Sequence, residues 1–330
     1  MSGGSSELVA ATEKWFLRHG LPYFVESERR IAQRGLRARR VATVAAVAAV
    51  VGLAAGGLVG WWLNDKTNAT GAALAAALSV LGWYAVTTLR LGAIGSWAIL
   101  RTTRSIGLLF PLVTRALPLL LLFITFLFIN AEVWQVASSL DGGVLWLSVM
   151  LFTAVACGFL LVRLPEELDR VDQEMGHDRL VAACSGTPLE PVAGKIAAEH
   201  TDLAGHTQVT GFQRANLILV LLVSQLVQVV MLSISVFLFF LVFGAVTMQP
   251  SVIESWIGDL PRAVPQLPTL SLELLQVSVF LAAFSGLYFT VYAVTDQTYR
   301  DQFFTSLTNE LEQAVGVRAV YRSLQPEATS

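Results

Sequence analysis

Residues 217–246 read LILVLLVSQLVQVVMLSISVFLFFLVFGAV, a run of 30 residues without a charged side chain. A helix needs about 20 mainly apolar residues to cross the hydrocarbon core of a bilayer. This run is longer, so it predicts a transmembrane helix that is tilted, bent or extended past the headgroups. The whole chain agrees, because 55% of its residues are hydrophobic and 14% are charged, whereas about a quarter are charged in soluble domains.

Five further stretches meet the same length criterion without a charge near the middle. They are 41–63, 70–88, 116–135, 144–161 and 270–295. We therefore expect an all-α polytopic membrane protein with six transmembrane helices.

The remaining segments connect these spans. The predicted units are a cytoplasmic N-terminal helix and basic arm (1–40), a first hairpin (41–90), an interfacial amphipathic segment (91–115), a second hairpin (116–162), a cytoplasmic loop (163–216), a third pair of spans (217–295) with an outside loop (247–269), and a cytoplasmic C-terminal helix and tail (296–330).

The distribution of positive charge predicts the orientation, because cytoplasmic loops are enriched in lysine and arginine. With six spans and both termini inside, two of the 22 lysines and arginines, Lys66 and Arg262, lie outside and the other 20 lie inside. Counting 91–114 as a seventh span would divide them 10 to 10, with two buried. Six spans with N-in and C-in termini are clearly favoured.

Tryptophans mark the predicted outer ends of three spans, as interfacial aromatic residues do. They are Trp61, Trp62, Trp134 and Trp146.

Six arginines precede the first span and predict contact with anionic lipid headgroups, worth about 1 kcal/mol per basic residue near the surface. They are Arg29, Arg30, Arg34, Arg37, Arg39 and Arg40. Their ordinary role is to determine orientation. Nucleic-acid binding is not expected, because no aromatic residues are interleaved for base stacking.

Arg101 and Arg104 share one helical face with Arg90 and Arg115, opposite apolar residues such as Ile99. This pattern is typical of a helix lying in the interface, with its arginines at the lipid headgroups. The alternative is an arginine-lined mouth for an anion or headgroup pathway.

Small residues recur every four positions in the first hairpin and predict close helix packing. They are Gly52, Gly56 and Gly60 in the first span, and Gly71 and Ala75 in the second. Packing within the hairpin and a homo-oligomer interface are both compatible with this spacing.

Polar side chains inside the spans form a second group of candidates. Gln225 and Gln228 share a face of the fifth span, and Tyr288 and Tyr292 share a face of the sixth. Hydrogen bonding between helices and a polar lining for permeation are the two interpretations. Glu132, near the outer end of the third span, is expected to pair with Lys66 or Arg262 or to reach the headgroups, with proton or cation binding as an alternative.

Amphipathic stripes on the cytoplasmic side predict a small cap. Leu8, Trp15 and Phe16 form one stripe, a helix opening at Pro165 carries a second, and the C-terminal helix carries a third. Each stripe needs a partner that buries it.

Known catalytic and metal-binding motifs are absent from the sequence, among them GxxxxGK[ST], HExxH and GxSxG. The two cysteines, Cys157 and Cys184, are too few for a disulfide framework. We therefore expect neither an enzyme nor a bound cofactor or metal.

Four strings together resemble a family of uncharacterised actinobacterial integral membrane proteins. They are GLPYFV (20–25), RALPLLLLFITFLFINAEVWQVA (115–137), RANLILVLLVSQLVQVV (214–230) and TYRDQFFTSLTNELEQAVGVRAVY (298–321). The resemblance implies a bacterial plasma membrane and brings no activity, substrate or catalytic residue with it.

Two functions are compatible with these features. The favoured one is a membrane scaffold whose cytoplasmic cap docks a protein partner. The alternative is a transporter or channel with a polar path along the fifth span.

Overall fold

The computed structural model describes residues 2–63, 66–88, 90–104, 121–140, 143–174, 177–199, 209–264, 267–295 and 297–324. Its helices are α1 Ser2–Arg18, α2 Glu26–Gly35, α3 Ala38–Leu63, α4 Lys66–Thr88, α5 Leu91–Arg104, α6 Leu121–Phe128, α7 Ala131–Ser138, α8 Gly143–Glu174, α9 His177–Ala183, α10 Glu190–Glu199, α11 Gly211–Thr247, α12 Pro250–Ile257, α13 Leu272–Thr295 and α14 Gln297–Leu324. A 3-10 turn covers Pro22–Phe24, and Ala263–Val264 pairs antiparallel with Leu267–Ser271 as a short hairpin, β1 and β2.

The helices that are long and apolar enough to span a membrane confirm the predicted class. In the described ranges there are five such helices, α3, α4, α8, α11 and α13, and up to six if the bent pair α6 and α7 counts as one span. The chain is therefore a helical, membrane-embedded protein.

The predicted third span, 116–135, is not one straight helix. Residues 116–120 lie outside the described part, and the remainder is bent by 75° between α6 and α7. The cause is Asn130, whose side-chain oxygen accepts a 2.8 Å hydrogen bond from the backbone N–H of Glu132. This is the N-cap interaction that begins a new helix.

Two spans extend well beyond their predicted ends. The helix expected to open at Pro165 is the continuation of α8, which runs through that proline to Glu174. Helix α11 has 37 residues and is therefore about 55 Å long at 1.5 Å per residue, whereas the hydrocarbon core is about 30 Å thick. The helix is therefore longer than a straight crossing needs, as the sequence predicts.

The first hairpin packs through its glycines. A Cβ at Gly56 would lie 2.8 Å from the Ala69 carbonyl oxygen and 2.8 Å from the Ala73 Cβ, and one at Gly52 would lie 2.8 Å from the Ala73 oxygen. A Cβ at Gly60 would lie 3.1 Å from the Ala69 Cβ. This is packing within the hairpin.

The interpretation that Gly71 and Ala75 of α4 pack within the hairpin is wrong. No described atom lies within 4 Å of a Cβ built at Gly71, and Ala75 is exposed. The contact face of α4 is instead Ala69, Ala73 and Ala77. Both sets of small residues have a four-residue spacing, so periodicity alone does not distinguish them.

A compact layer, here called the terminal cap, joins both ends of the chain. It consists of α1, the Pro22–Phe24 turn, α9, α10, the first turns of α11 and the C-terminal half of α14. Every residue from Ala314 to Tyr321 is buried, which is more than two helical turns and therefore covers all faces. Helices α1 and α14 meet here, with the rings of Phe16 and Tyr321 5.5 Å apart.

We predict that Gly56→Leu lowers the free energy of unfolding by about 1–3 kcal/mol, the usual cost of overpacking. Gly57→Leu is the matched control, because no described atom lies within 4 Å of its Cβ position. SDS-unfolding titrations in mixed micelles measure both variants. Equal stabilities would contradict the hairpin contact.

Candidate polar sites in the membrane helices and the terminal cap

The two glutamines of α11 lie where the sequence predicts a shared face. Gln225 is 0% exposed and Ser224 beside it is also buried. The Gln228 side-chain oxygen is buried and accepts no hydrogen bond from any residue that the structure describes. A buried polar atom at this depth is a candidate for function or for specific helix pairing.

Helix α13 carries further buried hydroxyls, but two of them are satisfied within the helix. Ser285 donates to the Leu281 oxygen at 2.6 Å, and Thr290 donates to the Gly286 oxygen at 2.8 Å. Such back-bonding removes the need for a partner on another helix. The burial of these two hydroxyls therefore does not require a ligand.

Tyr288 and Tyr292 form an aromatic stack. Their ring centroids are 6.2 Å apart, and the Tyr288 ring also stacks on Phe123 of α6 at 5.3 Å. The structure therefore brings the predicted tyrosine pair together and packs it against the bent helix pair.

At the end of the bundle away from the terminal cap, the carboxylate that pairs with Arg262 is Glu273. It is 2% exposed and accepts hydrogen bonds from the Arg262 backbone N–H at 3.0 Å and from Nε at 2.9 Å. Glu132 instead lies exposed in the first turn of α7. The predicted pairing of Glu132 with Arg262 is therefore wrong.

One of the four predicted interfacial tryptophans is a core residue. Trp134 is fully buried, donates Nε1–H to the Phe128 oxygen at 2.6 Å and packs on Trp256 at 5.8 Å. The bend at Asn130 turns this side chain inward. Trp61, Trp62 and Trp146 are exposed, as residues of an aromatic belt are.

Polar contacts connect the terminal cap to α11. Asn216 accepts from the Tyr23 backbone N–H at 2.8 Å and donates to the Gly20 oxygen at 3.1 Å. The buried Arg318 donates Nε–H to Gln213 at 2.7 Å. Sequence patterns did not reveal these contacts, because the partners are more than 100 positions apart.

Further contacts attach α1 and the loop to α14. The Tyr321 hydroxyl donates to Glu13 at 2.8 Å. Gln313 donates to the Ser185 oxygen at 3.3 Å, and Arg179 and Glu312 form an ion pair at 3.5 Å. Both chain ends and the loop between α8 and α11 are thus parts of one packed unit.

The arginines of the predicted headgroup set before Val41 are largely exposed, and Arg39 and Arg40 belong to the first turn of α3. Arg30 pairs with Glu26, and that hydrogen bond lowers the Glu26 pKa. Five other positions of the predicted headgroup set also carry exposed or half-exposed arginines, namely Arg29, Arg34, Arg37, Arg39 and Arg40.

The predicted arginine face of segment 91–115 is only partly described. Arg90 donates to Glu28 at 2.9 and 3.0 Å, and its φ of 54° places it before α5, so it does not continue that helical face. Arg101 and Arg104 belong to α5, but their side chains lie outside the described part, as does Arg115. Helix α5 also buries Ile94 and leaves Ile99 exposed, and it packs on α11.

Cys184 is buried in the terminal cap, and this burial raises its thiol pKa to about 12. A thiol with this pKa stays protonated at neutral pH and is unreactive. Within the described ranges, no three His, Cys, Asp or Glu side chains are grouped in a way that could hold a metal ion.

The comparisons with known proteins give no relative for this arrangement. No family model, curated protein or solved structure matches the chain. Any functional conclusion therefore depends on the chain's own residues and their contacts.

Proposed function

We propose that the chain is a multi-pass protein of the bacterial plasma membrane that acts as a scaffold, with the terminal cap in the cytoplasm as the docking surface for a protein partner. The observation that carries this proposal is the terminal cap itself. Both chain ends and the loop between α8 and α11 form one closed, folded unit at one end of a membrane bundle.

The parity of the crossings supports the proposed N-in, C-in topology. Because α1 and the loop containing α9 pack on the same helix, α14, they must lie on the same side of the membrane. An even number of crossings must therefore separate them. Helices α3, α4 and α8 provide three.

The fourth crossing must occur between Thr88 and Gly143. The bent pair α6 and α7 is the segment of the described chain there that is long and apolar enough. Helices α11 and α13 then return the chain to the same side, for six crossings. The positive-charge distribution assigns that side to the cytoplasm.

Exposed apolar side chains support docking on the N-terminal part of the terminal cap and its flank. Phe16 of α1 and Tyr321 of α14 are already buried against each other, so these two rings are not available to a partner. Large apolar residues that remain exposed on this segment are Leu17 at the end of α1, Ile31 in α2 and Leu36 after it. Of these three, Leu17, 43% exposed, is the one that lies in the terminal cap itself.

We expect a photo-crosslinking amino acid in place of Leu17 to give one adduct of defined mass in native membranes. The same amino acid at Leu53, an exposed position in α3, is the control and should give no protein adduct of that mass. If position 17 gave no adduct and the purified protein were monomeric, the scaffold proposal would be abandoned.

A path along α11 is a second candidate function, favoured by the buried Gln228 oxygen and the fully buried Gln225. For this function, Gln225→Leu together with Gln228→Leu should abolish ion flux into liposomes. Ser235→Ala is the control on the same helix, because the Ser235 hydroxyl is exposed and donates to the Met231 oxygen. Flux unchanged by the double substitution, or absent from the wild-type protein, would exclude this path.

A further inference from the structure

A groove with a volume of about 290 Å³ lies between α8, α11 and α13. All three helices are long and apolar enough to span a membrane. The groove extends from Trp146 to Ala156 along α8 and from Leu226 to Phe237 along α11. At 1.5 Å per residue this is a length of about 15 Å, which is half of the roughly 30 Å hydrocarbon core.

The width of the groove identifies the shape of its occupant. The volume of about 290 Å³ is the space open to the centre of a water-sized sphere. With the radius of that sphere, about 1.4 Å, added on each side, the groove is roughly 8 Å across. A whole helix is about 10 Å across and does not fit, whereas an extended hydrocarbon chain does.

Small residues make the floor of the groove. Ala282, Ala283 and Gly286 of α13 line it, and a Cβ at Gly286 would lie 2.4 Å from the Ser233 Oγ of α11. The close approach of these two helices leaves a smooth floor, while Phe152 and Phe237 supply bulk at the sides.

The mouth of the groove opens to the outside of the bundle. Trp146, Val230 and Ile234 line the groove and are 62%, 53% and 51% exposed. Because these positions lie on membrane-spanning helices, the medium at the mouth is lipid hydrocarbon rather than water.

The lining chemistry disfavours a polar ligand, because the side-chain polar groups among its described residues are two hydroxyls and the indole N–H of Trp146. Its hydroxyl side chains are those of Thr153 and Ser233, and Thr153 already donates to the Val149 oxygen at 2.8 Å. If the groove were empty, its walls would lose their dispersion contacts.

We infer that the groove is a binding site for one acyl chain of a membrane lipid, held as a resident ligand. This inference does not depend on the proposed docking function.

Proteoliposomes containing phosphatidylglycerol with a diazirine on its acyl chain test this site. After illumination, mass spectrometry of the wild-type protein should find adducts concentrated on groove residues of α8, α11 and α13. The reference is the lipid-facing surface of α3 around Leu53 and Leu58, which is more exposed than the mouth of the groove. Groove adducts should exceed that reference about tenfold, which corresponds to 1.4 kcal/mol of preference.

Two substitutions fill the groove from different helices. Ala283→Phe on α13 and Thr153→Phe on α8 should each reduce the groove adducts to the α3 level and leave the α3 adducts unchanged. Wild-type adducts spread evenly over all exposed surfaces would overturn the assignment. So would folded variants that retain the enrichment, or crosslinks between two copies of the chain across the groove.

Discussion

The complete burial of residues 314–321 in α14 is the constraint on which the rest of the structure depends. A helix segment buried on all faces needs partners on all sides, and α1, α9, α10 and the start of α11 provide them. These partners come from the beginning and the middle of the chain, and α14 itself comes from its end. They can meet only if the intervening segments return to the same side of the membrane. The arrangement of the spans is thus coupled to the packing of a layer outside the bilayer.

Inside the bilayer the helices follow a different rule, because hydrocarbon does not drive apolar surfaces together. Close packing occurs where glycine or alanine lets two backbones approach, as at Gly56 in the first hairpin and Gly286 between α11 and α13. Elsewhere large apolar side chains face outward, and α8, α11 and α13 leave the groove between them unfilled by protein. Lipid is therefore both the solvent of the spans and, in our proposal, a ligand.

The sequence predicts the spans well, because a long apolar run without a charged side chain is the direct signature of a helix in hydrocarbon. It also locates the glycine ridge of α3. Gly20, which has a φ of 70°, lies just after the end of α1. The bend at Asn130 is harder to predict. Asn130, two residues before Glu132, is an N-cap signal, but it lies inside a long apolar run that is typical of one continuous span. The burial of Trp134 follows from that bend.

The contacts of Asn216 and Arg318 cannot be predicted from a local sequence pattern. Their partners are distant in sequence and are brought together only by tertiary packing.

The location of the terminal cap relative to the membrane tests the account most directly. Single cysteines at Glu7, Glu190 and Leu260, all exposed positions, can be probed in intact cells with a membrane-impermeant maleimide. Cys157 and Cys184 are both replaced by alanine, so that each variant carries one cysteine. The account predicts labelling at position 260 in intact cells, and at positions 7 and 190 only after the membrane is opened. Labelling of position 190 in intact cells would contradict it.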